Sequence, residues 1–352
     1  MTIGSKECSW STAALSRLFF TFPHLQELHM TTERLLPIDA ISTIARHFSS
    51  TLRCLSAFIV SNSVEGQQPA ITELAKLTSL ERLKLEGTLL TGYSLVELGR
   101  SCRRLRELYC HEILASHGEV QILLDQCPAL EMLWGLNVSV HNEIDDVPRE
   151  PVTPLLQSVA RIKSLGLNIF EEHDPAIMKS IADFAGHNLV SLRMRACGFS
   201  SGALAYSTSH FTRLESLSIV AWRQHAETAS SNGRGDLRAL DHLFSYLPPQ
   251  VLPALSSLEL DESSVTEAGL AGLARHRVAQ QLTSLECLDI KEASSDTYRC
   301  LLSSLSSLRR LRLGGHLSGA HVLRVRGGEK RQGVGVECLL HKPNRDLCTL
   351  TP

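Results

Sequence analysis

Ten cysteines and fifteen histidines in 352 residues are the first places where chemistry could reside. Cys338, His341 and Cys348 offer three metal ligands near the C-terminus. A structural zinc site takes four, so this set is one short. Asp145, Asp146 and Glu150 bring carboxylates together, but in a stretch rich in Asp, Glu and Pro that reads as a solvated loop rather than an acid/base pair. Arg234-Gly235-Asp236 spells an adhesion tripeptide and Asn137-Val138-Ser139 a glycosylation sequon. Both have meaning only on an exported chain. Met1 to Phe22 contains Lys6, Glu7, Trp10 and Arg17 and no long apolar run, so no signal peptide is expected. There is no phosphate-binding glycine loop, no H-E-x-x-H and no G-x-S-x-G. Catalytic residues, cofactors and metals are therefore not expected.

What remains is recognition chemistry, and its positions are set by a repeat. Leu80-Glu81-Arg82-Leu83-Lys84-Leu85 reads L-x-x-L-x-L. The same phrase starts at Leu25, Leu52, Leu105, Leu130, Ile162, Leu189, Leu214, Leu255, Leu285 and Leu308. That is about 11 copies at a spacing of roughly 28 residues, inside the range of leucine-rich repeats. About 30 of roughly 33 anchor positions hold Leu, Ile or Met where chance would give about 7, so the pattern is not a set of unrelated amphipathic helices. The exceptions, Ala57, Cys110 and Gly135, are small. Leu-x-Leu alternation marks a strand, and helical spacing follows between copies. The expected fold is an α/β leucine-rich-repeat solenoid, a horseshoe with a parallel inner sheet and outer helices. One repeat cannot cover its own apolar face, so stability comes from stacked neighbours.

Residues 1–24 are expected to form an N-terminal capping helix, 25–315 the array, and 316–352 a poorly ordered tail. Helices are expected over Ser11–Phe22, Pro37–Phe48, Ile71–Leu77, Leu95–Cys102, Val120–Cys127, Leu155–Ile162, Ile177–Ala185, Leu237–Leu247, Ala268–Ala279 and Tyr298–Leu305, with starts marked by Asp174-Pro175 and Thr266-Glu267. Val140 to Pro154 and Gln224 to Gly235 are long insertions and read as loops. The tail lacks the repeat phrase, which suggests a truncated array or a misplaced gene boundary.

Alternation along each strand points the residues between anchors to the concave face. There Tyr109, His111, Trp134 and Leu136 form an apolar patch, unusual in a chain with 5% aromatics. Aromatic side chains are enriched at interface hot spots. Arg193 and Arg195 are expected beside it to meet an acidic partner, with Glu259, Asp261 and Asp289 further along. A second reading, in which the Val140–Pro154 loop covers Trp134, stands equally. The formal charge of −2 gives no pull toward nucleic acid or membrane. No apolar run is long enough to span a bilayer. Cysteines at repeat positions, such as Cys102, Cys110, Cys127 and Cys197, read as small buried hydrophobes, reduced in a cytoplasmic or nuclear protein. A monomer with one protein partner on the concave face is expected.

Cys127-Pro128-Ala129-Leu130-Glu131-Met132-Leu133 resembles the C-P-x-L-x-x-L phrase of cysteine-containing leucine-rich repeats. Ser101-Cys102-Arg103-Arg104-Leu105-Arg106-Glu107-Leu108 is a second copy, and Leu189 to Cys197 has the L-x-x-L-x-L-x-x-C layout. These repeats are similar to those of F-box leucine-rich-repeat proteins and the ribonuclease-inhibitor-like superfamily, over about residues 10 to 315. The resemblance implies substrate recruitment by the array for an SCF-type, cullin-based ubiquitin ligase. Leu36-Pro37-Ile38-Asp39-Ala40-Ile41 is the one F-box-like start, but it follows the first repeat, lacks a downstream V-C-x-x-W phrase, and reads as a repeat helix. Other superfamily members regulate small GTPases, with Asn favoured at the ninth repeat position. That position holds Glu33, Val60, Thr88, Ile113, Val138 and Phe170 in the first six copies. A free-standing inhibitor-type binder is the third alternative.

Overall fold

A computed structural model describes residues 2–3, 12–30, 38–58, 64–138, 152–169, 175–196, 201–221, 244, 251–261, 265–291 and 294–316. They fall into two compact units, Met1–Asn168 and Ile169–Pro352.

In the first unit strands alternate with helices: β1 (Thr2–Ile3), α1 (Thr12–Thr21), β2 (Glu27–Met30), α2 (Ile38–Phe48), β3 (Cys54–Phe58), α3 (Val64–Leu74), β4 (Arg82–Thr91), α4 (Gly92–Ser101), β5 (Glu107–Leu114), α5 (His117–Gln126), β6 (Met132–Val138), α6 (Val152–Ser158) with a 3-10 turn (Val159–Arg161), and β7 (Ser164–Ile169). The second unit continues with α7 (Pro175–Ala185), β8 (Ser191–Ala196), α8 (Ser201–His210), β9 (Ser216–Ala221), β10 (Ser257–Asp261), α9 (Glu267–Arg275), α10 (Arg277–Gln281), β11 (Ser284–Lys291), α11 (Ser295–Ser304) and β12 (Arg310–His316). Within each unit the strands lie in chain order. Strands β1 to β6 pair in parallel with their neighbours, as do β8 to β12. Parallel neighbours need a crossover, and here the helices supply it.

The leucine phrase sets the register. Leu28, Leu55, Leu83, Leu108 and Leu133 are successive partners in the first unit. Leu192, Leu217, Leu258, Leu285 and Leu311 are partners in the second. None is more than 1% exposed. Each contributes about 1.5–3 kcal/mol by leaving water. A backbone clamp repeats at successive strand entries. The N–H groups of Arg53 and Cys54 donate to Gln26 O, those of Glu81 and Arg82 to Arg53 O, and those of Arg106 and Glu107 to Glu81 O.

Cysteines finish the layers. Cys102 and Cys127 are the C-caps of α4 and α5. Their thiols donate to Leu77 O and Cys102 O, each at 3.4 Å. Cys102, Cys110 and Cys127 are free and buried, as their repeat placement predicts; Cys54 and Cys287 are also free and buried, Cys300 is free and exposed, and Cys197 lies outside the described residues.

Three features differ from the sequence reading. The tenth copy begins at Leu282, not Leu285, because Leu285 is in register with Leu258 and Leu311. Leucines three apart offer two alignments, and buried Cys287 serves as the sixth-position anchor of the earlier one. The helix expected over Ala268–Ala279 is two helices, divided at His276, whose Nδ1 accepts from Val278 N–H at 3.2 Å. The helix expected from Ile71 starts at Val64 and runs through Pro69. The F-box-like stretch forms α2, which lies between β2 and β3 in the chain like any repeat helix. The tail beyond His316, the Val140–Pro151 stretch and most of Leu237–Leu247 lie outside the described residues.

Candidate protein-binding face

One face of each sheet carries the buried leucines and the other is open. In the first unit, Ser56, Lys84, Tyr109 and Trp134 form one row of register partners on the open face. Strand alternation puts them there, since Leu83, Leu85, Leu108 and Leu133 point the other way.

The row is tightly organised. The Tyr109 and Trp134 rings lie 5.6 Å apart at 51°. Such a tilted pair favours edge-to-face contact. Lys84 Nζ sits 5.0 Å from the Tyr109 centroid, and Glu86 neutralises it at 2.5 Å. Trp134 Nε1 donates to Ser164 Oγ at 2.8 Å. A Cβ on Gly166 would come within 2.9 Å of Trp134 Cγ, so the indole occupies the space of a missing side chain on β7. Trp134 and Tyr109 are both half-buried, and each keeps surface open to solvent.

His111 lies two residues beyond Tyr109, with its side chain 44% exposed and its Nε2 3.9 Å from Glu112 Oε1. Leu136 is a correction: it is fully buried and belongs to the core. Between Tyr109–Trp134 and Ile113–Leu136 the register shifts. Gly135 takes φ 97°, and a Cβ there would stand 2.2 Å from Cys110 O. The bulge turns Leu136 inward beside Ile113. Asn137 and Asn168 fill the space behind it. Asn168 Nδ2 donates to Asn137 Oδ1 at 2.8 Å, His111 O at 3.1 Å and Gly135 O at 3.3 Å. The sequon asparagine is thus 8% exposed and held by its neighbour.

The expected arginines belong to the second unit and form a cluster of their own. Arg193 on β8 lies 3.8 Å from Glu259 on β10. It reaches across Ser218, the register partner of both. Arg193 therefore already faces an internal carboxylate. Arg195 is half-buried two residues further along β8. Asp261 ends β10, and its side chain lies outside the described residues. So does that of Asp289 in β11. With the corrected alignment, Glu286 takes the face position that had been assigned to Asp289. It accepts from Arg312 Nη1 at 2.6 Å. Ser164, Gly166 and Glu286 are the face residues that the sequence reading missed. A glycine between Leu165 and Leu167, one repeat beyond a face tryptophan, was the available signal for the first pair.

No protein-family model matches the sequence, and no curated protein does. Solved structures do match. A chain of the yeast Rad7–Elc1 complex superposes with TM-score 0.52 at 18% identity, covering 86% of this chain and 77% of that one. The fold is that of a leucine-rich-repeat α/β solenoid. An internalin of Listeria monocytogenes (TM-score 0.34, 15% identity, 90% and 86% covered) and a leucine-rich-repeat protein of Leptospira interrogans (TM-score 0.35, 11% identity, 86% and 69% covered) superpose too loosely to add to this. Among the described residues no three metal-binding side chains gather, and no helix is long and apolar enough to cross a membrane. Cys338, His341 and Cys348 lie outside the described residues.

Proposed function

We propose that this chain is a non-enzymatic protein-binding scaffold that holds its partner on the open sheet face of the first unit. The observation that carries the reading is the pre-ordered aromatic pair. Ser164 fixes the indole and Gly166 makes room for it, so little side-chain entropy is left to lose on binding. A partner residue packed against these rings gains hot-spot contacts without first ordering them.

At the finer level, we read the scaffold as the substrate-recognition part of an SCF-type ubiquitin ligase, working as a monomer in the cytoplasm or nucleus. The cysteine phrases at Cys102 and Cys127 support this, as does the likeness to a chain from the Rad7–Elc1 assembly. Arg193 and Arg195, with Glu259, Asp261 and Asp289, would form a second contact region in the other unit. Affinity capture followed by mass spectrometry tests the reading. Recovery of cullin-complex subunits together with a stoichiometric client is expected. Recovery of a small GTPase in their place would replace it with a GTPase-regulating array, and recovery of a single tight partner alone with an inhibitor-type binder.

A further inference from the structure

Most of the charges around the aromatic row are matched inside the chain, but among the described residues Glu107 is not. Arg82 donates to Glu27 at 2.5 Å across Cys54. Lys84 is held by Glu86. On the rim, Arg53 faces Glu81 at 3.7 Å and Lys163 faces Glu131 at 2.9 Å. Glu107 stands between Arg82 and Met132 in register and two residues before Tyr109. Its neighbour Arg82 turns the other way. Among the described residues no cation lies within ion-pair distance of Glu107.

The geometry points to a cation-recognition site: Glu107, Met132, Tyr109 and Trp134 accept an arginine or lysine side chain from an extended segment of the partner protein. The inference rests on the scaffold reading above and names the chemistry of its partner. The stem of such a side chain lies along Met132 and the indole, and its charged head meets the Glu107 carboxylate. Aromatic faces attract cations, and a carboxylate adds a charge-assisted hydrogen bond. The chain itself already places one cation, Lys84, over a ring of this row. Glu86 neutralises that lysine, so it does not repel a second cation one strand further on. It differs from the acidic partner expected for this patch, and Arg193, which was to meet that partner, already faces Glu259.

The test uses the full chain with Trp10→Phe and Trp222→Phe, so that Trp134 gives the one indole N–H resonance. Blocked pentapeptides Gly-Gly-X-Gly-Gly with X as Arg, Lys, Leu or Glu are titrated against it. The Arg and Lys peptides should shift the Trp134 resonance saturably at millimolar concentration, and the Glu peptide should not. Glu107→Gln should weaken the Arg peptide by roughly tenfold while the resonance of the free protein stays in place. An equal response to the Leu peptide, an unchanged response in Glu107→Gln, or no response to any peptide overturns the inference. The scaffold reading fails separately. If a captured partner is lost on Trp134→Ala but unaffected by Glu107→Lys, the cation site is wrong and the scaffold stands; if capture ignores Trp134→Ala, the scaffold reading is wrong.

Discussion

At the scale of single residues, the buried thiols and the glycines beside the aromatic row make the sharpest predictions. Burial pushes Cys102, Cys110 and Cys287 up to about 12 and Cys127 up to about 11, from an ordinary value of 9.0. Burial also raises Tyr298 to about 12. The neutral forms are the ones that fold. Their contribution is therefore complete below about pH 9 and is lost as pH rises toward 12, because the unfolded thiols ionise first. Urea midpoints should be flat from pH 7 to 8.5 and fall steadily above pH 9; a midpoint unchanged at pH 10.5 would contradict the burial of these groups. Iodoacetamide at pH 8 should label Cys300 in the native protein and spare Cys54, Cys102, Cys110, Cys127 and Cys287, as read by peptide mapping. Gly166→Ala should push the indole off β7 and break its bond to Ser164. Its mark is a red-shifted Trp134 emission with stability reduced by about 1–3 kcal/mol; unchanged emission would contradict the packing of the indole against β7.

At the scale of elements, caps and bulges decide where each strand and helix begins and ends. Ser116 and Glu119 form a capping box on α5, with Ser116 N–H donating to the Glu119 carboxylate at 2.8 Å. Ser116→Ala should cost about 1 kcal/mol in urea unfolding. Gly135→Ala should cost more, about 2–4 kcal/mol, because it combines a left-handed φ with a clash against Cys110 O. Equal losses for the two variants would deny the bulge its role. These features also mark where sequence reading reached its limit. Leu83, Leu108, Leu192 and Leu258 could be placed because a strand anchor must face the helices in every layer. Leu136 could not, since the bulge at Gly135 depends on how β5 and β6 shift against each other, and alternation alone assigns it to the wrong face. The start of the tenth repeat could not be fixed, because a leucine spacing of three suits two alignments. The α8 helix, Ser201–His210, went unseen because its serines and alanines give little apolar periodicity. Tyr109 and Trp134 were legible as face residues; that Ser164 and Gly166 hold the indole was not, since both lie one repeat away.

At the scale of the whole molecule, each unit is a stack in which every layer leans on its neighbours, so stability follows the layers, while the recognition proposed here follows the open face. These two properties reside on opposite sides of the same strands. Removing Tyr109 or Trp134 should therefore spare folding and cost binding, whereas removing Leu108 or Leu133 should do the reverse, at about 2–5 kcal/mol of stability each. The most direct measurement replaces Ser56 in the open-face row, and in a parallel protein Ile122 on α5, with photo-reactive benzoylphenylalanine, and compares the cross-links that each forms with captured partner. Ile122 is 38% exposed on the helical layer and serves as the control. Cross-linking from position 56 and none from position 122 is the expected result; cross-linking from 122 with none from 56 would place the partner on the helices and contradict the proposed function.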